Sequence, residues 1–180
     1  MPMIFENVKE IEISTVNGKV EIEGWNNDHV EVSYTIHGEA EVEVEQRGEK
    51  LIIREEPKKK LLNLLGKSGW AEITIKVPRK VTVRASSVNG ETRAGNASFD
   101  KVSTVNGRIE LEDCEAGKIS TVNGSITVTL SDFCDARIKV GRVNGTVTFE
   151  GIDPENPIIG TGEFEVKVST VNGNIVVRRV

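Results

Sequence analysis

Apolar positions along most of the chain fall into one recurring phrase, apolar-x-x-Val-Asn-Gly-x-apolar-x-apolar. It appears as Ile13, Val16, Val20, Ile22; Val102, Val105, Ile109, Leu111; Ile119, Val122, Ile126, Val128; Val140, Val143, Val147, Phe149; and Val168, Val171, Ile175, Val177. A weaker copy around Val88 has Ala85, Thr92 and Ala94 at the apolar places. The motif valines from 88 onward are spaced 17, 17, 21 and 28 residues apart. A period of this size with insertions predicts a solenoid in which each turn of chain stacks on the last.

Asn-Gly between alternating runs is also the strongest short signal for a two-residue hairpin. In that geometry Val122 shares a face with Ser120, Ser125 and Thr127, opposite Ile119 and Ile126. Six valines on polar faces weigh against it. A bend at Asn-Gly through residues at positive φ instead lets Val122 and Ile126 both point inward, with a second irregularity at Ser-Thr turning Ile119 inward. Asn17-Gly18, Asn89-Gly90, Asn106-Gly107, Asn123-Gly124, Asn144-Gly145 and Asn172-Gly173 then form a structural corner ladder, Asn stacked on Asn.

The first eighty residues are less regular. "VEVSYTIHGEAEVEVEQRGEKLIIREE" and "AEITIKVPRKVTVR" alternate strictly, which predicts half-buried strands, with "IHGEA" and "QRGEK" as hairpin turns. This part is expected to be a meander or a set of imperfect coils. Between the two runs lies "PKKKLLNLLGKSGW", the only candidate helix. The expected organisation is one domain over 1–180, with irregular strands in 1–80, an insertion at 57–70 and regular Val-Asn-Gly coils in 81–180.

Composition agrees with an all-β chain: 37% hydrophobic, only 4% aromatic, apolar residues mostly Val and Ile, and 17 Gly among 180 residues. The net charge of −5 is unevenly spread. Residues 1–56 carry fourteen acidic and five basic side chains, 57–101 three and ten, and 102–180 eleven and eight. That balance argues against specific nucleic-acid binding and leaves a local basic patch. Cys114 and Cys134, twenty residues apart, match no zinc or redox spacing and are expected to be buried free thiols. The start "MPMIFENVKE" shows no signal peptide and no apolar run spans a membrane, so a cytoplasmic location is the default expectation.

The stretch "VPRKVTVRASSVNGETRAGNASFDKVSTVNGRIELEDCEAGKISTVNGSITV" resembles the bacterial and archaeal putative-adhesin family, a β-strand-repeat domain of unknown function with Val-Asn-Gly-x-Ile repeats after a Val-Pro-x-x-Val strand. The resemblance covers nearly the whole chain. It implies a single-stranded parallel β-helix, expected to be right-handed, and an association with cell envelopes and adhesion. It brings no catalytic residues. Members commonly carry a leader or membrane anchor, so the resemblance points to the envelope.

Candidate chemistry is sparse. His29 and His37 are separated by eight residues of strand, ~26 Å at ~3.3 Å per residue, too far to share a metal. Glu39, Glu41, Glu43 and Glu45 form an acidic stripe without the Gly-rich Asp loops of calcium β-rolls. Neither pattern predicts a metal or cofactor. β-Helix enzymes acting on polysaccharides place acidic side chains on one strand face, and Glu110, Glu112, Asp113, Asp132 and Asp135 are the candidates for such a role. No convergence is legible among them, and a non-enzymatic protein is expected. The triplets at Asn96, Asn123 and Asn144 match the N-glycosylation pattern, but two of them are created by the corner motif.

The segment from Pro57 to Trp70 stands apart, with Lys58, Lys59, Lys60 and Lys67 beside Leu61, Leu62, Leu64, Leu65 and Trp70. It either caps an end of the solenoid or docks on an anionic membrane surface or partner. The leading functional expectation is an adhesin-like scaffold presenting an elongated surface to a polymer, an envelope component, a protein partner or another copy of itself. A carbohydrate-active enzyme and a docking module working through residues 57–70 are the alternatives.

Overall fold

The computed structural model describes residues 2–57, 69–113, 115–130 and 135–179. Sixteen strands run through them and none of these residues is helical. In chain order they are β1 (Met3–Phe5), β2 (Glu10–Thr15), β3 (Lys19–Trp25), β4 (Val30–His37), β5 (Ala40–Arg47), β6 (Lys50–Pro57), β7 (Trp70–Pro78) and β8 (Thr82–Ser87). They continue with β9 (Thr92–Gly95), β10 (Ser98–Thr104), β11 (Arg108–Glu112), β12 (Glu115–Thr121), β13 (Ser125–Leu130), β14 (Ala136–Glu150), β15 (Ile158–Ile159) and β16 (Phe164–Arg179).

The architecture is all-β and mostly parallel, a solenoid-like coil with two faces. One face runs β5-β6-β2-β8-β10-β12, the other β1-β4-β7-β3-β9-β11-β13, and β16 and β14 continue both because each passes through the corner as one long strand. Each Val-Asn-Gly joins a strand of one face to a strand of the other, so the two strands flanking it pair with neighbouring coils. Strict alternation puts Ile11, Ile13, Val20, Ile22, Val102, Ile109, Ile119, Ile126, Val168 and Ile175 inside, where they form one continuous apolar core.

The coils do not stack in chain order. β2 lies between β6 and β8, and β3 between β7 and β9, so the first copy of the motif is an inner coil. At the other end β16 is inserted between β12–β13 and β14. The C-terminal strand β16 is thereby bonded on two sides, which pins a chain end that otherwise frays, while β1 at the N-terminus pairs with β4 alone. The outer edges are closed by antiparallel pairings: β1 on β4, β4 on β7, β5 on β6, and β15 on the start of β14.

Three local expectations are corrected. The motif valines are not inside: Val88, Val105, Val122 and Val171 are 39% to 42% exposed, and the residue before each, Ser87, Thr104, Thr121 or Thr170, is buried instead. Alternation simply runs on through Ile-Ser-Thr-Val with no irregularity at Ser-Thr. The corner glycines are not at positive φ. Left-handed residues sit after β9 and β11, at Asn96 (φ 55°) and Asp113 (φ 50°). Glycine is needed at the motif because coils touch there: a Cβ on Gly107 would land on the Gly90 carbonyl oxygen, and one on Gly124 on that of Gly107. "QRGEK" is a hairpin turn, with Arg47 opposite Lys50 and Gly48 at φ 60°. "IHGEA" is not, because β4 and β5 belong to different faces and Gly38 (φ 73°) carries the chain between them. Residues 30–57 are therefore no meander.

The cap-or-dock segment falls largely outside the described residues: Lys58, Lys59, Lys60, Leu61, Leu62, Leu64, Leu65 and Lys67 all do, as do Cys114 and Cys134. Trp70 is described, at the start of β7.

Candidate functional site: a valine-lined groove along the corner

Because Thr points in, its two neighbours point out. Ser14, Ser86, Ser103, Ser120 and Ser169 stack in register as one outward column. Val16, Val88, Val105, Val122 and Val171 follow beside them, and the two columns line a groove of about 850 Å³. At one end Arg54 continues the serine column opposite Ser14, with Glu56 beside it. At the other end Gly141 takes the serine place opposite Ser169. Scattered exposed valines are ordinary on a soluble protein, but a continuous apolar track of them is not.

Beneath the groove runs a column of buried hydroxyls, Thr15, Ser87, Thr104, Thr121 and Thr170. The Ser87 Oγ accepts the Gly90 amide at 2.9 Å. The Oγ1 atoms of Thr15, Thr104, Thr121 and Thr170 are buried without a hydrogen-bond partner. Glu55 ends this column, in register with Thr15 and only 2% exposed. In the coils stacked after the first motif copy the corner Asn amide donates to the valine carbonyl of the coil before it, as Asn89 to Val16 and Asn106 to Val88, both at 2.7 Å. The first motif copy has no such valine carbonyl before it. There the Glu55 Oε2 accepts the Val16 and Asn17 amides at 2.9 and 3.1 Å, beside the Gly18 amide. Burial pushes the Glu55 carboxyl above its ordinary pKa; the three amides oppose this, and the charge of Glu56 adds to it.

Beside the valines runs the asparagine column. Asn89 donates to Asn17 (3.3 Å), Asn106 to Asn89 (3.1 Å), Asn123 to Asn106 (3.0 Å), Asn172 to Asn123 (3.0 Å) and Asn144 to Asn172 (3.2 Å). The paired glycines 18, 90, 107, 124, 173 and 145 let these coils approach closely.

The other sequence candidates are dispersed. Glu110 and Glu112 line a polar trough on the second face, where Glu110 meets Arg93 at 3.1 Å. Asp113 lies at the following left-handed turn, and Asp135 accepts the Thr161 amide at 3.1 Å at the far end of the stack. Asp132 is outside the described residues. His29 sits against Trp25 and 3.6 Å from Glu31, while His37 stacks on Trp70 with centroids 4.4 Å apart. Glu41, Glu43 and Glu45 form the exposed face of β5. Among the described residues no three His, Cys, Asp or Glu side chains come together as a metal ion would need.

Sequence reasoning missed the groove and Glu55. The signal for the groove was present, since Ile119 and Thr121 share a face by period two and Ser120 and Val122 share the other. For Glu55 too the signal was present: in "LIIREE" period two puts it on the face of Leu51 and Ile53, with Arg54 and Glu56 on the other, but a carboxylate at an inward position was read as surface.

A sequence model of the Toastrack DUF4097 family matches residues 8–178. No curated protein matches the chain. Among solved structures, a putative cell adhesion protein from Clostridium sporogenes ATCC 15579 is 17% identical, covers 100% of this chain and 98% of its own, and superposes with a TM-score of 0.70, which shows a shared fold. A putative adhesin from Bacteroides fragilis NCTC 9343 is 10% identical, with 100% and 96% covered, at a TM-score of 0.40 that carries no argument.

Proposed function

The chain belongs to the Toastrack DUF4097 family, and from that premise we propose that it is a non-enzymatic, adhesin-like scaffold. On this reading it is a right-handed single-stranded β-helix, elaborated at both ends, that presents its corner groove to an elongated component of the cell envelope. The observation that carries the proposal is the column of valines lined up along one groove, with Val88, Val105, Val122 and Val171 each about two-fifths exposed. Keeping β-branched apolar residues in water over successive coils brings no gain to the fold, whereas covering them releases bound water on contact with a partner. The nominated carboxylates support a non-catalytic reading: Glu110 is held in an ion pair on an open sheet face, and Asp135 is engaged by a backbone amide at the end of the stack.

The test is cosedimentation of the protein with an insoluble bacterial envelope preparation, comparing wild type with Val105→Lys/Val122→Lys. The double variant is expected to fold with an unchanged unfolding midpoint and to lose most of the bound fraction. Equal sedimentation of the two proteins would remove the groove as the binding surface.

A further inference from the structure

We infer that the groove takes one aliphatic chain, the acyl tail of a single amphiphile, laid along the valine column. The inference rests on the groove being the binding surface. Its dimensions select the occupant. Parallel coils step by ~4.8 Å, so the valines from 16 to 171 make an apolar track of roughly 20 Å, the length of a long-chain acyl group. The groove volume of about 850 Å³ falls in the range of small-molecule sites rather than of protein interfaces.

The alternatives fit less well. A stable protein partner covers ~800 Å² on each side, and here the apolar strip is one valine wide, bordered by the serine and asparagine columns. Stacked sugar rings need aromatic platforms, and no described lining residue is aromatic. A bilayer surface is engaged by protruding apolar side chains, whereas these valines line a hollow. Arg54 and Glu56, both exposed, stand at one end of the track, where a polar head group would stay in water.

Binding of a fluorescent long-chain fatty acid, kept below its own aggregation concentration, tests the inference. Wild type is expected to bind it saturably, one per chain, and to release it to unlabelled palmitate. Val105→Thr/Val122→Thr keeps the side-chain shape while replacing two apolar methyls by hydroxyls, and should bind about tenfold more weakly. Ser120→Phe, which fills the groove at its middle, must lose the probe as well. Glu110→Gln, on the other face, should bind like wild type. Absence of saturable binding by wild type, or equal binding by the groove variants, overturns the inference. If the lysine double variant loses envelope sedimentation while no protein binds the fatty acid, the acyl assignment falls and the scaffold reading stands. If sedimentation is also indifferent to the lysines, both fall.

Discussion

Thr121 and Val122 are adjacent, similar in shape, and opposite in environment: the threonine is 3% exposed and the valine 40%. Placing a hydroxyl inside without a partner and a valine outside runs against transfer preferences at both positions. The energy of the whole strand explains it. Ile119 fills the core fully, and period-two alternation then commits Thr121 to the same side. The arrangement was half legible: Ile-Ser-Thr-Val states the alternation, but treating every motif valine as a core residue required a break in it that the backbone does not make. Thr121→Asp should therefore cost ~3–5 kcal/mol, as an unpaired buried carboxylate does, and Val122→Asp less than ~1 kcal/mol, as surface changes do. Denaturant midpoints of the two variants and wild type check this, and a severe loss at Val122 with tolerance at Thr121 would reverse the assignment of inside and outside.

Strands and their ends show what repetition conceals. The parallel strands and the hairpin β5–β6 were readable from alternation and from "QRGEK", whereas the path of β4 into β5 was not, because Gly38 serves a change of face as readily as a hairpin. Capping is another matter. The β2–β3 corner has its amides bound by Glu55, a single side chain doing what the preceding coil's valine carbonyl does at the other corners. Its raised pKa means that burial outweighs those bonds, so the stability Glu55 contributes is fully present below its unfolded value near 4.5 and is lost as pH climbs through the folded value. Other carboxylates act in the opposite sense; Glu12, bonded to Lys50 at 2.8 Å, is held below its ordinary value. The difference between wild type and Glu55→Gln isolates the cap. From about pH 4 to 7, wild type should lose stability relative to the glutamine variant, measured by denaturant unfolding at each pH. A relative gain would mean that the amides dominate and that the carboxylate is the preferred form.

Stacked as a whole, the motif copies follow the order 17, 89, 106, 123, 172, 144 along the asparagine column. The repeat made an all-β stack legible, together with like residues lying on like. It could not order the copies, since one Val-Asn-Gly coil offers nearly the same surface to every other, and the choice is decided by loops and by how the ends are closed. The valine groove depends on that order: Val171 continues the track directly after Val122 only because β16 lies against β12 and β13. Cysteine pairs test it in a Cys114→Ser/Cys134→Ser background. In-register neighbours lie ~5 Å apart at Cα, inside the disulfide range, while positions two coils apart, at ~9.6 Å, lie outside it. Under mild oxidation, Asn123→Cys/Asn172→Cys should close a disulfide and Asn123→Cys/Asn144→Cys should not. A cross-link between 123 and 144 without one between 123 and 172 would restore stacking in chain order and break the groove at its last coil.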